Sequence, residues 1–391
     1  MILPDAPWRH MPGIGLLLNA LGSGEALTRV VGGAVRDGLA GQPVTDVDLA
    51  TSLSPQDVMA RLASARIKSV PTGIAHGTVT AVLSGGPVEI TTLRRDVSTD
   101  GRRATVAFTD DWKEDAARRD FTINALYADP ETGEIFDYFG GADDLAAGVV
   151  RFIGDPLQRI AEDHLRILRF FRFHARFGRG APDAESLAAC TARANDLMAL
   201  SRERIADELL KILALPLPAE TIDLMFRTGI FKPVLPEITN VQPLCALVAA
   251  EAAAKVVLSA HRRFSALLPA DPALAGQVAH RLKLSKAVNN RLVSAAARSL
   301  GDAADPQALT YRLGKESATD RLLLLGDVEA VEAIRDWQIP VFPLSGGAIV
   351  ARGVQAGPDV ARILKAVETQ WISEGFPNTA RVDAIADAHT A

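Results

Sequence analysis

Three features of the sequence predict an α+β fold. Gly-rich turns and β-branched runs are confined to about the first 145 residues. From about residue 155 onward, apolar residues recur at helical spacing almost without interruption. Ala and Leu are abundant while aromatics make up only 5%, a composition that favours helices. The expected architecture is a mixed sheet with helices, followed by an all-helical remainder.

The strands are expected at residues 27–31 (LTRVV), 44–50 (VTDVDLA), 77–83 (GTVTAVL) and 88–93 (VEITTL), each bounded by Gly, Pro or Ser. Between the second and third, Ser54 can cap a helix that Pro55 starts and Asp57 supports, running to residue 65. One long amphipathic helix is expected over 155–177. Another is expected over 201–213, with Ile205, Leu209 and Ile212 on one stripe. Further helices are expected at 219–228, 244–258, 272–281, 286–299, 306–313, 318–336 and 358–374, with a loop at 337–347 marked by two prolines and a Gly pair. No fixed-period repeat is visible, so a solenoid is not expected.

Composition narrows the function classes. With 391 residues, 48% hydrophobic and 23% charged, the chain is globular and too long for one ordinary core. No run approaches the ~20 apolar residues that span a bilayer, and the first residues lack a signal-peptide pattern. Cys190 and Cys245 stand at no metal-like spacing, so a reducing cytoplasm is the expected compartment. A net charge of −5 argues against a basic coat but allows a local basic groove. Nothing calls for an obligate protein partner.

The first chemical constellation is VGGAVRDGLAGQPVTDVDLAT. Gly32 and Gly33 end a strand and open a helix, where free N–H groups can meet a phosphate. By itself this reads as a tight strand–helix turn, since neither a Rossmann fingerprint nor a Walker lysine is present. Asp46 and Asp48, at i and i+2 on an expected strand, point to one face. Two carboxylates side by side repel unless a cation lies between them, and oxygen-only ligands suit Mg²⁺. Two solvated surface aspartates are the plain alternative. The Gly pair, Arg36 and this acidic pair together supply the parts of nucleotidyl transfer. Glu89 on a neighbouring strand is a candidate third carboxylate.

Two further constellations follow. In Arg118–Arg119–Asp120–Phe121–Thr122–Ile123–Asn124, arginines suit phosphates and a carboxylate or amide suits ribose hydroxyls. Read alone, the segment is a surface charge pair before a buried stretch. On the 155–177 helix, His164 falls on the apolar stripe, while Arg166, Arg169, Arg172 and Arg176 share another face with Asp163 one turn from Arg166. Either this is a solvated basic stripe, or its surplus positive charge serves a triphosphate.

Taken together, GGAVRD…DVDLAT, RRDFTINAL and GDPLQRIAEDHLRILRFFRF resemble the polymerase beta-like nucleotidyltransferase superfamily. More narrowly, they resemble the class II tRNA nucleotidyltransferases, or CCA-adding enzymes, and the related bacterial poly(A) polymerases. The resemblance is strong over about 28–213 and loose beyond. It implies a catalytic head (1–145), a helical neck for nucleobase recognition (146–215), and a tRNA-binding body (216–300) and tail (301–391). It implies Mg²⁺-dependent addition of CCA to the tRNA 3′ end from CTP and ATP. It assigns the metal to Asp46 and Asp48, and nucleotide binding to Gly32, Gly33, Arg36, Arg118, Arg119, Asp120, Asn124, Asp163, Arg166, Arg169 and Arg172. Residues 94–115 resemble the flexible loop of these enzymes. The tail entry matches imperfectly, with Gly346–Gly347–Ala348 where a Gly–Asp pair is usual.

Hydrogen-bond types give the pair Asp163/Arg166 a specific meaning. Cytosine and adenine both present an amino donor beside a ring-nitrogen acceptor, whereas uracil and guanine present the reverse. A carboxylate only accepts and a guanidinium only donates, so the pair fits C and A. The alternatives are a poly(A) polymerase, an enzyme adding part of CCA, or a catalytically inactive RNA-binding protein.

Overall fold

The computed structural model describes residues 1–100 and 103–390. Two compact units are present, Met1–Pro236 and Glu237–Ala391. The first runs on past residue 215 because the Ala219–Arg227 helix packs on the Arg166–Phe177 helix.

Among the described residues the first unit has nine strands. They are β1 (Thr28–Val31), β2 (Asp48–Thr51), β3 (Lys68–Gly73), β4 (Thr78–Leu83), β5 (Gly86–Thr92), β6 (Arg94–Asp100), β7 (Arg103–Phe108), β8 (Leu126–Ala128) and β9 (Ile135–Asp137). Seven form one sheet in the order β3-β4-β5-β2-β1-β8-β9, and β6 and β7 form a separate two-stranded sheet. The pair β2 and β5 is parallel, with Asp48 opposite Glu89; β1 and β2 are antiparallel, with Val31 opposite Asp48. Over one face of this sheet Val31, Ala50, Leu93, Ala116, Tyr127 and Ile153 form an apolar core, with Trp112, Phe136 and Tyr138 packed against it. The four expected strands are present, with ends displaced by at most four residues. Strands β3, β8 and β9 were not anticipated; they are short or polar, and cross-strand pairing forms them rather than intrinsic preference.

Local signals explain several ends. Ser54 Oγ accepts the Asp57 N–H at 3.1 Å, and Pro55 opens the Pro55–Ser64 helix, as its sequence predicts. Gly32 adopts φ 63° and ψ −117°, a conformation open to glycine, which turns β1 directly into the Gly33–Leu39 helix. That turn also corrects the second strand. Because β1 ends at Val31, opposite Asp48, no β1 edge remains for residues 44–47. Asp46 is therefore exposed ahead of the strand, accepting from Thr45 Oγ1 at 3.1 Å.

The long helix expected over 155–177 is two helices, Pro156–Glu162 and Arg166–Phe177. Asp163 breaks it with extended backbone at φ −152° and ψ 106°. Its carboxylate accepts the Leu165 N–H at 3.1 Å, a local bond that competes with the helix. The polar segment 94–115 is likewise not an open loop. It comprises β6, β7 and the start of the Trp112–Ala117 helix; residues 101 and 102 lie outside the described residues.

The second unit is helical. Its helices include Gln242–Ala253, Ala260–Leu267, Pro272–Arg281, Lys286–Ala296, Pro306–Leu313, Lys315–Leu324, Val328–Arg335, Pro358–Ser373 and Thr379–Thr390. The helix expected over 318–336 is split at Gly326, which takes φ 79°, and Asp327 caps the second half. Buried charges join several of these helices. Arg262 donates to Asp320 and to Glu251, both at 2.7 Å. Arg263 donates to Glu251 at 2.8 Å, and Arg291 donates to Asp320 at 2.5 Å.

Candidate active site

A cavity of about 350 Å³ opens in the first unit. Gly32, Gly33, Arg36, Asp48, Arg118, Arg119, Asp120, Asn124, Asp163, Arg166, Arg169 and Phe173 line it. Eleven of these residues are ones the sequence singled out, drawn from all three constellations; Asp46, Glu89 and Arg172 are not among the lining residues.

The floor is the β1 turn and the start of β2. A Cβ on Gly32 would come within 3.4 Å of Arg119 Nη1, so this arginine lies against the glycine turn. Arg36 is buried and donates from Nε to Asp37 at 2.8 Å and from Nη1 to the Asn124 side-chain oxygen. Asn124 in turn donates to Asp120 at 2.8 Å, and Arg169 donates to the other Asp120 oxygen at 2.7 Å. Burial alone would raise the Asp120 carboxyl; Arg169 and Asn124 outweigh it and hold it below the usual range. Asp48 goes the other way. Burial first, then the charge of Glu89, push its carboxyl up, with Asp46 adding to them and Arg119 opposing.

That contrast tests the metal. Asp48 is a partly buried carboxylate facing two like charges, and its own proton affinity rises as a result. A divalent cation would relieve this. Mg²⁺ takes hard oxygen ligands, commonly one or two carboxylates with the remainder water and substrate phosphate. Asp46 and Asp48 fit such a donor set. Among the described residues no three His, Cys, Asp or Glu side chains group closely enough to form a full protein cage.

The four arginines of the Arg166–Phe177 helix do not form a free positive stripe. Arg166 pairs with Glu162 at 2.5 Å, Arg169 with Asp120 at 2.6 Å, Arg172 with Glu208 at 2.6 Å and Arg176 with Asp37 at 2.9 Å. The surplus charge expected of this face is smaller because other elements return a carboxylate to each. Arg36, Arg169 and Arg172 also gather around the Phe173 ring, with guanidinium carbons 4.5–5.2 Å from its centre.

Asp163 and Arg166 both reach the cavity but are not paired with each other. Arg166 also donates to the Arg159 and Arg118 carbonyls at 2.9 and 3.1 Å. Asp163 is held by Arg204, whose Nη2 donates to both of its oxygens at 3.1 and 2.8 Å. Arg204 and Glu208 were missed in the sequence. They sit on the Arg202–Leu213 helix among charges that read as a solvated face. Asp115 was missed too, although it stands three residues before Arg118. His164 is half-buried between the two helices, its Nδ1 3.0 Å from the Ile160 carbonyl.

Two family profiles match the chain. The poly A polymerase head domain covers residues 28–151, and the probable RNA and SrmB-binding site of polymerase A covers residues 181–241. The mitochondrial CCA tRNA nucleotidyltransferase 1 of Mus musculus is 36% identical over 368 residues, spanning 89% of this chain and 83% of its own. The chain belongs to the CCA tRNA nucleotidyltransferase family. A CCA-adding enzyme of Levilactobacillus brevis is 31% identical over 378 residues, 91% of this chain and 93% of its own. The solved CCA-adding enzyme of Bacillus stearothermophilus, in complex with CTP, superposes with a TM-score of 0.74 at 26% identity, covering 93% of each chain. The Thermotoga maritima CCA-adding enzyme complexed with tRNA shares the fold, with a TM-score of 0.74 at 20% identity over 100% of each chain. As a member of the CCA tRNA nucleotidyltransferase family the protein is a nucleotidyltransferase, and enzymes of this family are generally metal-dependent. No helix among the described residues is long and apolar enough to cross a membrane.

Proposed function

We propose that this protein adds C, C and A to the 3′ end of tRNA, taking CTP and ATP without a nucleic-acid template. The observation that carries the reading is the gathering of a glycine turn, Asp48, four arginines and the Asp163/Arg166 pair around one cavity. Arg118, Arg119 and Arg36 suit the triphosphate, as planar multi-donor groups do. Asp120 and Asn124 suit the ribose hydroxyls. Arg169 and Arg172 brace this wall through Asp120 and Glu208. Asp46 and Asp48 would hold Mg²⁺, and Glu89, opposite Asp48 on the adjacent strand, is a further carboxylate that could assist. When bound, the ion supplies Lewis-acid stabilisation of the charge that develops in phosphoryl transfer.

Base choice falls to Asp163 and Arg166. Arg204 orients the Asp163 carboxylate and Glu162 restrains Arg166, so acceptor and donor are held by separate partners. One such pair serves both C and A because the two bases share an edge pattern. The head, neck, body and tail would divide as 1–145, 146–215, 216–300 and 301–391, with the body and tail gripping the tRNA. Cys190 and Cys245 are free cysteines, in keeping with a reducing compartment. We place the protein in the cytoplasm, which fractionation of the source cells tests.

The deciding experiment incubates the protein and Mg²⁺ with tRNA ending at the discriminator base, with CTP and ATP supplied separately and together. Two C residues from CTP alone and CCA from both are expected. Long tails from ATP alone would make the enzyme a poly(A) polymerase. A product stopping at CC or needing a CC end would make it a partial CCA enzyme, and no product an RNA-binding protein.

A further inference from the structure

Asp115 lies outside the cavity, yet two of the cavity's arginines depend on it. Its side chain is only 2% exposed, and four donors converge on it. Arg118 donates from Nε at 2.9 Å and Arg119 from Nη2 at 3.2 Å. Tyr127 donates its hydroxyl at 2.7 Å, and the Arg94 backbone N–H, the first of β6, donates at 3.3 Å. The arginines follow Asp115 by three and four residues at the end of the Trp112–Ala117 helix, the favourable order of acid before base.

The node is braced from behind. Tyr127 Oη, while donating to Asp115, accepts from Arg119 Nε at 3.2 Å. The Tyr127 ring meets Trp112 edge to face at 5.5 Å, and Arg29 stacks over Trp112 at 4.2 Å. Arg119 therefore has Nε and Nη2 engaged by Tyr127 and Asp115, while Nη1 lies beside Gly32 and the Asn124 carbonyl. A guanidinium held this way reaches the glycine turn with little rotamer freedom left to lose on binding.

We propose that Asp115, with Tyr127, is a positioning residue for triphosphate binding: it holds Arg118 and Arg119 in place and ties them to the start of the β6–β7 hairpin. The inference rests on the reading of this cavity as a nucleoside triphosphate site. It predicts a phosphate-specific defect. Loss of the Asp115 charge frees both arginines, which weakens grip on the phosphates of CTP and ATP alike and leaves base recognition by Asp163 and Arg166 untouched. The ratio of CTP to ATP use is then unchanged.

The test uses the full-length protein with Asp115→Asn, which preserves shape, and Tyr127→Phe, which preserves the ring and removes only the hydroxyl. Affinities for CTP and CMP are measured by calorimetry, and kcat and KM for CTP and ATP with saturating tRNA. Asp115→Asn is expected to weaken CTP by about tenfold or more, with KM rising in step for both nucleotides and kcat changing less. CMP affinity should move less than about twofold, and Tyr127→Phe should follow in the same direction by about two- to fivefold. Unchanged CTP affinity in Asp115→Asn would overturn the proposal, as would equal losses of CTP and CMP. If Asp115→Asn does not fold, Tyr127→Phe decides by the same CTP-to-CMP comparison. Failure of the wild-type protein to bind CTP would instead sink the nucleotide reading, and it is seen before any variant is made.

Discussion

Both units of this molecule hold charges away from water, but the cavity of the first treats one of them, Asp48, differently. In the second unit Glu251, Arg262, Arg263 and Asp320 are all at most 5% exposed, and ion pairs join them to one another. In the first unit burial, then the charges of Glu89 and Asp46, raise the proton affinity of Asp48, with Arg119 opposing them. Its carboxylate is opposed by like charge where the buried acids of the second unit are matched. Burial of charge is thus no guide to function by itself. A closed network maintains helix packing, while an acid beside other acids is where the proposed cation would bind.

Replacing Asp48 by Asn should abolish nucleotide addition, by at least ~10³-fold, since it removes a group proposed to hold transition-state charge. Binding of tRNA should persist. Ionised Asp48 sits at a cost because its carboxyl is raised: its contribution to stability is present below the unfolded pKa and lost as pH rises through the folded one. In EDTA at pH 7 the Asn variant should therefore melt no lower than wild type. A clear drop in Tm, or retained turnover, would show that Asp48 is structural.

Asp320 should behave oppositely. Asp320→Ala leaves Arg262 and Arg291 without their shared carboxylate, and removing one partner of a buried pair costs about 3–5 kcal/mol. Urea denaturation should record that loss, while CTP affinity of the folded fraction stays at the wild-type level. A stability change under ~1 kcal/mol would mean that the network contributes little.

Asp163→Asn sharpens the contrast within the cavity. The amide oxygen can still accept from Arg204 while its nitrogen donates toward a base carbonyl. Incorporation of C and A at the first added position should fall by about one to two orders of magnitude, and UTP should gain relative to CTP. An unchanged base preference would reduce Asp163 to a brace for Arg204.

The smallest effect concerns acid. Asp115 is held at about 2 by Arg119, Arg118 and Tyr127 against the burial that would raise it, and Asp120 is also depressed. Groups of this sign stabilise the fold above the unfolded pKa near 4, and that contribution disappears as pH falls toward 2. For Asp115 the span amounts to about 2 kcal/mol. Urea midpoints at pH 7, 4 and 2.5 should show the wild type losing more stability across the acid window than Asp115→Asn. Equal losses would place the acid sensitivity elsewhere.

What the sequence determined by itself was whatever depends on neighbours along the chain. Ser54 and Pro55 mark a helix start through local hydrogen bonding, and helical periodicity marks most of the second unit. Eleven cavity residues were legible because residue type and short spacing carry their chemistry. Tertiary structure alone decided which charge answers which. Asp163 and Arg166 look like partners three residues apart, but the break at Asp163 leaves Arg166 to Glu162 and brings Arg204 from 41 residues away to Asp163. Glu208 reaches Arg172 from 36 residues away. Asp46 leaves its strand because β1 ends at Val31, a limit set by the partner strand and not by residues 44–50 themselves. Ion pairing and strand registry depend on what the fold brings alongside, and the local pattern of a charged helix face or a short polar strand is the same whether its partner is water or another part of the chain.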